Sequence, residues 1–148
     1  GEGARRIGER DEELLRSAHD LVLVLQNAAG TPEANLVNMS GRQRMLSQRL
    51  AKLYMLRAWG VDTPALREQM DIASNEFAGA LANLRAAPEN TPAIAQELEA
   101  VALQWEWFSA AITMQGAESY ALLVAGASES ILNSMELVTG LYVELTRR

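Results

Sequence analysis

Cysteine is absent from this sequence and histidine occurs once, at His19, which excludes several kinds of chemistry. Without cysteine the chain forms no disulfide, offers no thiolate to a metal and has no thiol nucleophile. One histidine cannot supply the several ligands of a zinc site or the two Glu-x-x-His pairs of a di-iron bundle. Phosphate-binding loops, nucleophile elbows and dinucleotide fingerprints are also missing. We therefore predict that the protein is not an enzyme and holds no metal or cofactor.

Basic charge is scarce as well. The chain has 13 basic and 19 acidic residues, a formal net charge of −6, and a pI near 4.8. Nucleic acid is not expected as a partner, because phosphate binding needs a basic surface. No run approaches the roughly 20 apolar residues that span a membrane, and no signal peptide is visible. With 148 residues, 49% of them hydrophobic, the chain is predicted to form one globular domain over residues 1–148.

Glycine and proline stand where helices should begin or end, and no stretch alternates as a strand does. The sequence therefore predicts an all-α protein with five helical segments, which we expect to pack as an antiparallel four-helix bundle. The first two segments form either one helix kinked at residues 30–32, which we favour, or two helices with a reversal there. The five segments are about residues 5–27, 33–59, 64–85, a fourth carrying an apolar stripe from Ile94 to Ile112, and about 117–146.

One segment of this acidic protein is basic and free of acids. Residues 34–61 contain no Asp or Glu and carry a charge of +5, so the rest of the chain sums to −11. Solvated helices usually mix both signs, because acid–base pairs three or four residues apart support the helix. A small anion or an acidic partner would offset the repulsion; otherwise these cations form a solvated face or bond acids on other helices. The basic residues are Arg42, Arg44, Arg49, Lys52 and Arg57.

At 100° per residue, the basic helix has two seams with three-four spacing. The core seam has large side chains and should enter the core of its own bundle. The small-residue seam allows a second helix to approach closely, so we predict a homodimer through the helix from Val37 to Ala58. The core seam is Leu36, Met39, Gln43, Leu46, Leu50 and Leu53. The small-residue seam is Val37, Gly41, Arg44, Gln48, Ala51, Met55 and Ala58.

Arg44 lies in the middle of the small-residue seam. In a two-fold dimer two such guanidiniums would face each other and repel. An anion between them would be attracted to both and would offset their repulsion. Guanidinium is planar and its forked N–H donors match a planar oxyanion. Gly41 leaves room for a ligand near the backbone, Ser40 can donate a hydroxyl hydrogen bond, and Gln48 lies one turn away. We therefore predict a ligand-binding site of Arg44, Gly41, Ser40 and Gln48.

The segment from Asn35 to Lys52 closely resembles the signature helix of PilJ-type sensor domains, which are extracytoplasmic ligand-binding domains of bacterial chemoreceptors and related transducers. It is also similar to the P-box of NarX-type nitrate/nitrite sensor kinases, with the pattern Gly-x-x-Arg-Met-x-Ser-x-Arg. The positions that match this pattern are Gly41, Arg44, Met45, Ser47 and Arg49.

This resemblance implies a homodimeric helical-bundle sensor in the periplasm, part of a receptor anchored in the inner membrane. It implies that nitrate, or else nitrite, is held between two copies of the signature helix. Arg44 falls at the nitrate-contacting position of the motif, and Gly41 at its glycine position. Signalling would proceed by a small displacement between helices. The output is that of a chemoreceptor or, alternatively, of a histidine kinase.

Two other functions stay open from the residues. The basic helix could dock an acidic protein partner, in which case salt would weaken binding steeply and no single anion would stand out. His19 with a methionine could ligate haem in a helical bundle, which a visible absorption spectrum would reveal.

Overall fold

A computed structural model describes residue 8, residues 30–114 and residues 120–147. These residues form helices joined by short turns, and no strand occurs among them. The helices are α1 (Pro32–Ala58), α2 (Pro64–Arg85), α3 (Pro92–Thr113) and α4 (Ala121–Thr146).

Three of the four helices begin with the same local structure, a threonine N-cap followed by proline. The hydroxyl oxygens of Thr31, Thr63 and Thr91 accept hydrogen bonds from the backbone N–H three residues on, at 3.1, 3.1 and 3.3 Å. Proline suits the next position, because the first helical N–H has no partner within the helix. The turn after α1 uses Gly60 at φ +94°, a conformation that favours glycine. The predicted bounds of α1 and α2 are confirmed within one residue, and α3 contains the whole predicted stripe from Ile94 to Ile112.

The helices pack as a four-membered bundle in which α1 contacts α2 and α4, and α3 contacts the same two helices. Neighbours run in opposite directions. Ser40 of α1 meets Thr139 of α4, whereas Ser47, two turns further along α1, meets Ser128, which lies earlier in α4. The expected all-α bundle is confirmed.

The core consists of one apolar stripe from each helix. The rings of Phe77 and Trp105 stack between α2 and α3, with centroids 4.3 Å apart. In the core seam of α1, Gln43 and all four leucines are buried, and Met39 is partly buried. The other helices contribute the buried apolar residues Leu66, Met70, Ala73, Phe77, Leu81, Leu84, Ile94, Leu98, Val101, Phe108, Ile112, Val124, Ile131, Met135, Val138 and Tyr142.

The predicted first helix lies outside the described residues, apart from Gly8. A Cβ added to Gly8 would lie 3.1 Å from Leu56 Cδ1, near the C-terminal end of α1. Gly30 lies at the other end of α1, next to its N-cap. The choice between a kink and a reversal depends on residues outside the described ranges, and both stay predictions.

One helix among the described residues, α4, is long and apolar enough to cross a membrane by length and composition. The sequence prediction concerned an uninterrupted run of apolar residues, and α4 contains no such run, because Glu129 and Glu136 lie within it. The helix is apolar on both faces: Val138 and Tyr142 are buried, whereas Leu122 and Leu123 are exposed. A core helix can pass the same test, and α4 supplies one of the four core stripes.

Candidate functional site

The signature helix α1 meets α4 along a row of polar contacts, which we call the polar seam. Two hydroxyl hydrogen bonds flank one ion pair within it. The residues of the polar seam are Ser40, Arg44 and Ser47 of α1, and Thr139, Glu136 and Ser128 of α4.

Arg44 lies at the centre of the polar seam and pairs with a carboxylate of its own chain. Its Nη2 donates to Glu136 Oε1 at 2.8 Å, and the two side chains are 38% and 50% exposed. Arg44 Nε is shielded from solvent and has no hydrogen-bond acceptor among the residues that the structure describes. The pair therefore leaves a buried N–H donor of the guanidinium unused.

Ser40 lies one turn before Arg44 and is fully buried. Its hydroxyl donates to the carbonyl of Val37 at 3.0 Å, and Thr139 Oγ1 lies 2.9 Å from Ser40 Oγ. Thr139 Oγ1 also lies 2.7 Å from the carbonyl of Met135. The structure thus directs the Ser40 hydroxyl towards α4 and not towards the open surface beside Arg44.

Gly41 and Gln48 lie three and four residues from Arg44, the spacing that places side chains on one face of a helix. A Cβ added to Gly41 would meet no atom of the described residues within 4 Å, so space adjoins the helix there within the part of the chain that the structure describes. Gln48 is exposed, whereas Gly41 and Arg44 are partly buried. The three residues therefore follow one line along α1, with Ser40 buried behind it.

The other cations of the basic segment that the structure describes also have partners. Arg42 forms an ion pair with Glu76 of α2. Arg57 donates to the carbonyl of Ile112 at the end of α3, at 2.6 Å, and lies 5.4 Å from the ring centre of Tyr54. The expectation that some of these cations bond acids on other helices is confirmed for Arg42.

The small-residue seam is used within the chain along part of its length. Val37, Ala51 and Met55 pack against the core, and Arg44 contacts α4. The second helix that approaches Arg44 is therefore one from the same chain. A homodimer through the helix from Val37 to Ala58 stays a prediction.

Gln43 turns from the same part of α1 towards α2. It is fully buried, and its Nε2 donates to the carbonyl of Phe77 at 2.9 Å. Its Oε1 is buried and has no hydrogen-bond partner within residues 30–114 and 120–147. Two consecutive residues of the signature helix, Gln43 and Arg44, therefore each carry one unsatisfied polar atom.

A second polar cluster lies where α4 passes the turn between α2 and α3. The hydroxyl of Tyr142 donates to Asn90 Oδ1 at 2.5 Å, and Asn90 Nδ2 donates to the carbonyl of Leu84 at 2.6 Å. Burial, with a smaller contribution from the carboxylate of Glu89, raises the pKa of Tyr142 to about 12. This cluster ties α4 to the turn and offers no charge to a ligand.

An apolar groove lies between the end of α3 and the start of α4. Its lining includes Trp107, Leu122, Leu123 and Gly126, with Gln104 as a polar member. No cation occurs among its described lining residues, so this part of the groove does not suit an anion. No group of three or more potential metal ligands occurs within residues 30–114 and 120–147.

Sequence analysis identified Arg44 but missed Glu136 and Thr139. Each adjoins a buried residue of the apolar stripe of α4, Glu136 following Met135 and Thr139 following Val138. A stripe marks which side of a helix is buried, so their proximity to it was visible in the sequence. Their contact with α1 was not, because it depends on which helices are neighbours and in what register.

Comparison with known proteins gives one family match. Residues 26–129 match the model of the PilJ family, described as the N-terminal part of type IV pili methyl-accepting chemotaxis transducers. No curated protein and no solved structure matches the chain. The similarity to NarX-type sensors therefore depends on the five motif positions alone. The match covers more than half of the chain, and the protein belongs to the PilJ family of chemotaxis transducer N-terminal domains.

Proposed function

We propose that this domain is the periplasmic sensor of a membrane-anchored chemoreceptor and that it binds a small oxyanion, nitrate before nitrite, at Arg44. The PilJ family supplies the chemotaxis transducer context. The proposal adds the ligand, the site, the location and a homodimer that meets along the helix from Val37 to Ala58.

The observation that carries the proposal is the unused donor of Arg44. A buried N–H without an acceptor costs about 1–3 kcal/mol. The contact with Glu136 joins Nη2 to a single carboxylate oxygen and leaves Nε without an acceptor. A planar oxyanion has oxygen atoms spaced to accept from Nε and Nη2 together, the forked geometry that guanidinium favours. Once the ligand had replaced Glu136 and opened access to Nε, it would satisfy the donor that the protein leaves unmatched.

The neighbouring residues fit this arrangement in different ways. Gly41 adjoins open space, which leaves room for the anion against the backbone. Gln48 is exposed and can donate its side-chain amide to the anion or to a second subunit. Ser40 is buried and bonded to Val37 and Thr139, so in this proposal it serves the site by holding α1 against α4.

Docking of an acidic protein to the basic segment is the weaker alternative. Arg42 and Arg44 already have carboxylate partners in α2 and α4, and Arg57 bonds a carbonyl of α3. An acidic partner would have to displace internal partners at each of these positions. A small anion needs to displace the partner of Arg44 alone.

Binding would signal by changing how the helices pack. In the dimer, the anion would neutralise two arginines near the two-fold axis and favour the geometry that brings them together. The size of the change is limited by the difference in ligand affinity between the two geometries. A displacement of α4 relative to α1 would carry the signal along the domain.

The direct test is thermal unfolding in a panel of sodium salts at constant ionic strength: nitrate, nitrite, chloride, sulfate, phosphate and acetate. At 100 times its dissociation constant, a ligand adds about 2.7 kcal/mol to the free energy of unfolding. For a domain of this size the midpoint should rise by several degrees in nitrate. Arg44→Ala should remain folded and lose this rise.

Arg67→Ala is the matched control. Arg67 forms an ion pair with Asp62 at 2.7 Å on an exposed surface, so the variant also removes one arginine and one pair. It should keep the full nitrate response. A nitrate response that survives in Arg44→Ala, or an equal response to every anion, would contradict the proposed site.

A further inference from the structure

Glu136 accepts a hydrogen bond from Arg44 Nη2, which is one of the two donors that the proposed ligand needs. We propose that Glu136 is an internal counter-ion. It occupies Arg44 and blocks ligand binding there until an external anion displaces it. This inference rests on the oxyanion site proposed above, and it names the residue that sets the affinity of that site.

The geometry of the pair makes displacement feasible. Arg44 and Glu136 are joined by one contact of 2.8 Å and not by the parallel double contact of which a guanidinium is capable. Their side chains are 38% and 50% exposed, and ion pairs at such exposure contribute little to stability. Glu136 can therefore exchange its contact with Arg44 for water when an anion arrives.

The position of Glu136 links this exchange to α4. Thr139 lies three residues further along α4 and contacts Ser40, while Ser128 donates to the carbonyl of Ser47 at 3.2 Å. The hydroxyl contacts at the two ends of the polar seam do not involve charge. Displacement of Glu136 would thus remove the ionic contact between α1 and α4 and leave both hydroxyl bonds. The helices would stay joined at both ends of the polar seam, but the attraction that draws them together at Arg44 would be lost.

Chemical modification of Arg44 tests the inference without any nitrate. Phenylglyoxal reacts with accessible guanidiniums, and mass spectrometry of peptide fragments locates the modified arginines. Arg44 should react at least twice as fast in Glu136→Gln as in the wild type. Arg42 is an internal reference because its partner, Glu76, is unchanged.

Glu129→Gln is the matched control, since Glu129 is an exposed residue of α4 two turns from Glu136. It removes the same charge, and Arg44 should keep the wild-type rate of modification. The inference would be overturned if Arg44 were modified at the same rate in all three proteins, or if both variants accelerated its modification equally. In either case Glu136 would not be the residue that shields Arg44. Unfolding would also expose Arg44 to phenylglyoxal, so circular dichroism is used to check that each variant keeps its helical content.

Nitrate titration of the same proteins then separates the two proposals. Glu136→Gln should bind nitrate about two- to fivefold more tightly than the wild type, the factor expected from loss of a competing exposed ion pair. Unchanged affinity would overturn the inference while the nitrate site stands. Faster modification of Arg44 in Glu136→Gln without nitrate binding to any of the proteins would support the internal counter-ion and overturn nitrate as the ligand.

Discussion

Gln43 and Arg44 leave polar atoms unsatisfied at adjacent positions of the signature helix, although they turn to different neighbours. Gln43 Oε1 and Arg44 Nε are buried without partners in the part of the chain that the structure describes. Each such atom costs about 1–3 kcal/mol. Sequences that fold for stability alone avoid this cost, and exceptions concentrate at functional sites. The cost therefore supports a binding role for the helix.

Tyr142 provides a test of residue chemistry away from the proposed site. Its pKa is raised to about 12, against about 10 for an unfolded chain, so the folded state favours the neutral hydroxyl. The resulting contribution to stability is complete below about pH 10 and is lost as the pH rises towards 12. We expect the free energy of unfolding, measured with urea, to fall over this range more steeply in the wild type than in Tyr142→Phe.

The same variant isolates the titration of Tyr142. The absorbance of tyrosinate at 295 nm, taken as wild type minus Tyr142→Phe, should rise with a midpoint near pH 12 in the native protein. In urea the midpoint should return to about pH 10. At neutral pH the variant should be less stable by about 1 kcal/mol, since the hydrogen bond to Asn90 is lost. If the free energy of unfolding fell equally with pH in the wild type and in Tyr142→Phe, the fall could not be assigned to the titration of Tyr142.

At the scale of elements, the repeated threonine caps define where helices begin. Thr91 accepts from the N–H of Ile94, and Pro92 follows it at the first helical position. Loss of an N-cap side chain costs about 1 kcal/mol. We expect Thr91→Ala to lower the free energy of unfolding by this amount, as measured by urea denaturation. Thr91→Ser keeps the oxygen and should lose much less, whereas equal losses would assign the effect to the methyl group of Thr91.

Local sequence features made the helices predictable, but they identified only Arg44 of the ion pair at the candidate site and not its partner. Threonine, proline and glycine act through local geometry, so the bounds of α1 and α2 followed from the sequence, and the apolar stripe located α3. Apolar spacing also placed Gln43 in the core. The partner of Arg44 could not be found in this way, because Glu136 is 92 residues away. Their contact depends on the antiparallel register of α1 and α4, which is set by packing of the whole bundle.

At the scale of the whole molecule, α1 has few exposed positions. Within its length, Pro32, Asn35 and Gln48 are exposed, and the remaining residues are buried or partly so. A second subunit that approached α1 through the small-residue seam would therefore meet Gln48, beside Arg44. The proposed dimer requires the two copies of Gln48 to lie close to the two-fold axis.

The absence of cysteine allows this geometry to be tested with a single introduced thiol. A disulfide needs Cα atoms within about 7 Å of each other, a distance that equivalent residues of two subunits reach only near the axis. We expect Gln48→Cys to form a disulfide-linked dimer under mild oxidation, resolved by electrophoresis without reductant, and nitrate to accelerate the cross-link. Gln96→Cys, exposed on α3, should form no disulfide-linked dimer. Equal cross-linking of both variants would indicate random collision, and no cross-link at position 48 would contradict an axis through α1. If nitrate accelerated the disulfide cross-link at position 48 and not at position 96, the ligand would bind at the dimer interface, because Gln48 and Arg44 lie one turn apart.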